Sequence, residues 1–173
     1  MLHARSRSRR QANPRSVRLA ARVRNAFLAV AVGAACASAW SHGDVTPQAV
    51  DTTGLPALGD AWRTENPYRS NETAIKIGTS AYNQNCARCH GLEAISGGIA
   101  PDLRKLDSEC ASLKDAAKRA ACVKDVDDYF VSTVRRGRTR NGAVYMPPFE
   151  GVMNQEAIWT IKAYLETRRE KPF

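Results

Sequence analysis

No apolar run in this 173-residue chain reaches the roughly 20 residues that a membrane-spanning helix needs. The run from Ala26 to Cys36 falls well short. Internal repeats, low-complexity tracts and alternating strand-like runs are also missing, so neither a repeat array nor a sheet-based domain is expected. Acidic residues are absent from positions 1–25, which instead hold eight arginines, at 5, 7, 9, 10, 15, 18, 22 and 24. A basic block, a short apolar run and then Ala37-Ser38-Ala39 follow the order of a secretory signal peptide cleaved after Ala39. Cleavage after Ser41 is the alternative. Arg9-Arg10 does not make a good twin-arginine signal, because Ala12 and Asn13 stand where apolar residues are wanted. Gly33 likewise argues against a lipoprotein site at Cys36.

Losing that segment changes the electrostatics. The whole chain carries 26 basic and 17 acidic residues; without the eight arginines, 18 face 17. The excess positive charge that would suggest nucleic acid binding disappears with the leader. The remainder, from Trp40 to Phe173, suits one small exported domain, in a compartment where disulfides persist.

Histidine is scarce, with three in the chain, and one of them completes Cys86-Ala87-Arg88-Cys89-His90. This is the attachment sequence of a c-type haem: Cys86 and Cys89 each form a thioether to a haem vinyl group, and His90 is placed to ligate the iron. A zinc site would need a second Cys-x-x-Cys or Cys/His pair, and none is present downstream. A thioredoxin-like dithiol would need an alternating strand–helix pattern, also lacking.

The iron's other face needs a ligand. After cleavage only His42 and His90 remain, and His42 sits close to the new terminus, which disfavours a bis-histidine site. A methionine thioether suits haem iron and raises its potential. Met146 lies far enough beyond His90 for the chain to pass round the porphyrin edge, and Pro147-Pro148 stiffen the next stretch. Met153 stands beside a helix start, where core packing is the ordinary role. Met146 is therefore the expected axial ligand. A five-coordinate iron of peroxidase type is the rival, and nothing here supplies its distal acid–base residues.

Cys110 and Cys122 are left over. In one straight helix they would lie about 18 Å apart, at about 1.5 Å per residue. A disulfide needs Cα atoms about 4.4–6.8 Å apart. Bonding requires Ala111–Ala121 to fold back as a short helix and turn, and export favours the bond. Two separately buried thiols are the alternative.

Along the rest of the chain, residues 40–71 are polar and broken by Pro47, Gly54, Pro56, Gly59 and Pro67. Leu55, Leu58, Trp62 and Tyr68 within them suggest a strap over the domain. Asn71 followed by Glu72 opens a helix, with Ala74, Ile75, Gly78, Ala81 and Tyr82 at helical spacing. Asp125 to Arg136 predicts another, stopped by Gly137. Arg138 to Met153 is expected to be a loop. The last helix starts at Asn154, with Ile158, Ile161 and Leu165 as its stripe. Lys162, Arg168 and Arg169 favour its later turns. Arg135, Arg136, Arg138 and Arg140 are candidates for pairing with haem propionates, Arg138 and Arg140 foremost, or for a docking patch; solvated loop arginines are the plain alternative.

Gly78-x-x-x-Tyr82-x-x-x-Cys86-x-x-Cys89-His90-Gly91, Gly137, Met146-Pro147 and Tyr164-Leu165 together resemble the class I cytochromes c over residues 72–169. The resemblance implies a small all-α fold packed round one covalently bound haem c. It implies close crossing of the first and last helices at Gly78, and a Pro101 carbonyl bonded to His90 Nδ1. Residues 72–173 would form this domain, with a cysteine-bearing insert at 107–124. His42 to Pro47, Asn83-Gln84-Asn85, Gly91 to Gly98 and Arg135 to Gly142 are similar to the periplasmic cytochrome c-550 group that serves PQQ-dependent alcohol dehydrogenases. That similarity implies a periplasmic, monomeric electron carrier and not an enzyme. Its donor would be such a dehydrogenase, and its acceptor another cytochrome or a terminal oxidase. Nucleic acid and a membrane anchor are not expected, and no calcium loop stands out. A fixed haem subunit of a larger complex is the remaining alternative.

Overall fold

The computed structural model describes residues 46–170. The expected signal peptide, its expected cleavage site and His42 lie outside the described residues. Helix α1 spans Glu72–Asn85, and Asn71 caps it by accepting from the Ala74 amide at 2.9 Å. The short α2, Ala87–His90, follows at once. A loop with two 3-10 turns, Leu92–Ala94 and Leu103–Lys105, leads to α3, Ser108–Ala111. Then come α4, Ala116–Arg136; a hairpin of β1, Arg138–Arg140, and β2, Ala143–Met146; and α5, Gln155–Thr167. Among the described residues no helix is long and apolar enough to cross a membrane.

Helices α1 and α5 meet backbone to backbone. A Cβ placed on Gly78 would sit 1.9 Å from the Thr160 carbonyl oxygen, so only glycine permits this approach. Tyr82 of α1, Phe130 and Val134 of α4, and Ile158, Trp159 and Leu165 of α5 form the core around that crossing.

The expected stripe on α5 turns out to be a nearly complete sleeve, with Ala157 to Leu165 all buried. The cause is the segment before α1. Leu58 N donates to Glu156 Oε1 at 2.7 Å, and Arg63 N donates to Gln155 Oε1 at 3.2 Å. Gln155 Nε2 donates to the Gly59 carbonyl and, at 3.2 Å, to that of Ala61. Leu55, Leu58 and Trp62 pack on the core beneath. Lys162, expected to favour the later turns of the helix, is buried with the rest and pairs with Asp127 and Glu166.

Two boundaries differ from the sequence reading. Helix α4 begins at Ala116 and not at Asp125; Asp115 caps it by accepting from Lys118 N at 2.9 Å. Its first turns, Ala116-Ala117-Lys118-Arg119-Ala120-Ala121, are strong helix formers without an apolar stripe, so periodicity does not reveal them. Residues 138–146, expected as loop, form the hairpin. Asn141 and Gly142 both have positive φ and supply the two left-handed residues of its tight turn.

The chain does turn back between α3 and α4. Cys110 and Cys122 are joined by a disulfide with their Cα atoms 5.6 Å apart. The bond closes a short loop, with a sequence separation of 12. Replacing both cysteines by alanine should cost about 3 kcal/mol, the loop-entropy value for a ring of this size. Denaturant unfolding of the double variant measures it, and an unchanged midpoint would show the bond to be energetically idle.

Candidate functional site

The pentapeptide at 86–90 is one helical turn. Cys86 N donates to the Tyr82 carbonyl at 2.8 Å, closing α1. Cys89 N and His90 N both donate to the Cys86 carbonyl, at 3.1 and 2.9 Å. Residues three and four apart on a helix share a face. Cys89 and His90 therefore each lie one turn on from Cys86, which explains why this spacing brings both thiols and the imidazole within reach of one ligand.

His90 Nδ1 lies 2.9 Å from the Pro101 carbonyl oxygen. A carbonyl only accepts, so Nδ1 carries the proton and Nε2 keeps its lone pair for a metal. Tyr82 Oη donates to the Gly91 carbonyl at 2.8 Å and pins the chain as it leaves the motif; burial pushes its phenol well up. In the sequence, helical spacing marks Tyr82 only as a stripe residue. A polar-tipped aromatic one turn before Cys86 is the signal for the second role.

Burial pushes the Cys86 thiol up to about 12, with Cys89 beside it adding to the shift. Reactive dithiols lie on the opposite side of the ordinary value. Among the described residues no three His, Cys, Asp or Glu side chains gather as a metal site. Two thiols within one turn of an imidazole with a free Nε2 fit haem c.

Met146 ends β2, half-buried against the core, while Met153 is 4% exposed within it. Gly137, at positive φ, lets α4 end against β2; a Cβ there would lie 2.3 Å from the Met146 carbonyl oxygen. After Met146, Phe149 N and Glu150 N donate to the Val134 and Arg135 carbonyls at 3.1 and 3.2 Å. The methionine is thereby held from both sides in the chain.

The arginines separate by environment. Arg135 stacks 4.0 Å over the Trp62 ring and pairs with Glu150 at 2.5 Å. Arg138 donates to Thr133 Oγ1 at 2.5 Å and lies 5.0 Å over the Tyr129 ring. Arg136 and Arg140 are exposed and form no ion pair among the described residues. Of the two foremost propionate candidates, Arg138 is engaged within the protein and Arg140 is not.

Comparison with known proteins agrees with this geometry. The family profile described as cytochrome c oxidase, cbb3-type, subunit III matches residues 73–165. A cytochrome c550 of Pseudomonas aeruginosa is 51% identical over 133 residues, covering 75% of this chain and 82% of that protein. Two Pseudomonas putida proteins match in part. The quinohemoprotein alcohol dehydrogenase ADH-IIG is 34% identical over 103 residues, 59% of this chain and 12% of the dehydrogenase. The quinohemoprotein alcohol dehydrogenase ADH IIB is 27% identical over 118 residues, 68% of this chain and 14% of the dehydrogenase. No solved structure matches. The one-turn haem motif, the α1–α5 crossing and a family match over more than half of the chain agree, and the chain belongs to the class I cytochromes c, haem-binding electron-transfer proteins.

Proposed function

We propose that this protein is a periplasmic carrier that takes single electrons from a PQQ-dependent alcohol dehydrogenase and passes them to another cytochrome or a terminal oxidase. The bond between His90 Nδ1 and Pro101 carries the reading, because it prepares the imidazole as a ligand for one flat cofactor. Cys86 and Cys89 would hold one haem c by thioethers, and His90 and Met146 would be the ligands to its iron. When bound, the haem supplies a one-electron iron couple, whose potential a thioether ligand raises. Likeness to parts of two quinohemoprotein alcohol dehydrogenases supports an alcohol dehydrogenase as donor. A reduced quinone cofactor holds two electrons, so each alcohol oxidised would reduce two copies of the carrier in turn. Contacts of this kind are small and short-lived, below about 1,200 Å².

Stopped-flow mixing of the oxidised protein with a substrate-reduced PQQ-dependent alcohol dehydrogenase tests the donor. Reduction within the dehydrogenase's turnover time is expected, and a carrier that stays oxidised would refute the assignment. The ligand set has its own test. Met146→Ala should abolish the methionine-to-iron charge-transfer band of the oxidised protein and lower its potential, whereas Met153→Ala should keep the band. Loss of the band in Met153→Ala alone would reverse the assignment.

A further inference from the structure

The Pro101 carbonyl can fix the His90 ring only if its own peptide plane is fixed. Upstream, the proline ring sets φ and restricts Ala100 before it. Downstream, the constraint is Asp102. Its Oδ1 accepts from Arg104 N at 3.0 Å and from Arg104 Nε at 3.0 Å, while Oδ2 accepts from Arg104 Nη2 at 2.6 Å. One carboxylate thus caps the Leu103–Lys105 turn and grips the side chain of a residue within it. The turn is tied from outside as well, since Glu170 N donates to the Arg104 carbonyl at 3.3 Å. Both side chains of the fork are only partly exposed, at 19% and 25% for Asp102 and Arg104.

We propose that Asp102, gripped by Arg104, is a positioning residue that holds the Pro101 carbonyl on His90 Nδ1 and so tunes the iron through its ligand. The inference rests on the reading of His90 as axial ligand. Without the cap, the backbone at 102 gains freedom and the peptide joining 101 to 102 can swing. The Nδ1–H bond then weakens, the imidazole becomes less basic, and the oxidised iron loses stabilisation.

Asp102→Asn and Asp102→Ala separate this from a simple charge effect, because both remove the same negative charge but asparagine still caps. The holoprotein of Asp102→Ala should show a higher reduction potential than that of Asp102→Asn. Its hyperfine-shifted His90 Nδ1 proton should also exchange faster with solvent. Equal potentials and equal exchange in the two variants would overturn the proposal, even if both are less stable than the parent. The reading beneath it fails separately: His90→Ala keeping the parent's low-spin spectrum would remove His90 as ligand whatever Asp102 does.

Discussion

Gly78→Ala is expected to destabilise the protein by about 3 kcal/mol, the upper end of the overpacking range. Alanine is the better helix former by about 1 kcal/mol, so an isolated helix would gain from the change. Packing reverses the sign. The added methyl would lie 1.9 Å from the Thr160 carbonyl oxygen and 2.4 Å from the Thr160 carbonyl carbon. Both atoms are backbone of α5, so no rotamer change can make room and the helices must move apart. Ala74, Ala81 and Tyr82 of α1 and Ile158 and Ile161 of α5 are all buried, so the movement would disturb closed packing. The same movement would shift Cys86, which ends α1, relative to the core. Gly78→Val should be worse and is expected to prevent accumulation of folded holoprotein, since a small domain has only about 5–15 kcal/mol to lose. Urea unfolding of purified Gly78→Ala measures the first effect. A midpoint equal to the parent's would mean that the crossing is looser than the backbone distances require.

The features that sequence reasoning reaches are those written in neighbouring residues. The Cys86–His90 turn depends on spacing alone. Asn71 and Asn154 cap α1 and α5 as their side chains suggest, and Gly137 ends α4. The hairpin is different: Asn141-Gly142 is a strong turn signal, but Arg138-Thr139-Arg140 gives no alternating apolar pattern to go with it. Its strands are held by each other and by their link to α4, not by a buried face. The early turns of α4 lack a stripe because most of their residues face solvent. Burial of α5 on all sides is least legible, since it depends on where residues 46–71 cross, which no local pattern specifies. Arg69 and Asn66 meet Asp127, and Gln48 N donates to Asn85 Oδ1 at 2.7 Å just before the haem motif. Partners 37 to 61 residues apart leave no periodic trace.

That crossing segment makes Lys162→Met the second substitution with a large expected effect, a loss of about 3–5 kcal/mol. Lys162 is 1% exposed and its Nζ lies 2.8 Å from both Asp127 Oδ1 and Glu166 Oε1. Arg69 reaches the same two carboxylates at 2.5 and 2.7 Å, and Asn66 N donates to Asp127 Oδ2 at 2.8 Å. Lys162 and Arg69 therefore bridge the two carboxylates where strap, α4 and α5 meet, and Arg169 Nη2 stands 3.9 Å from Glu166 Oε1. Methionine fills a similar volume, so little packing is lost. What remains is a fully buried Asp127 and a nearly buried Glu166 without the ammonium between them, Arg69 touching both and Arg169 3.9 Å from Glu166 alone, and an under-compensated buried charge is the expensive state. Pairing the change with Asp127→Asn removes one of those charges along with its partner. The double variant should then be destabilised by clearly less than the sum of the two single changes, as expected of residues in one network. Strict additivity in a double-mutant cycle by denaturant unfolding would show that the pair does not interact. Failure of the single change alone would have another meaning: Arg69, 37% exposed, and Arg169, 14% exposed, would then suffice to neutralise the two carboxylates.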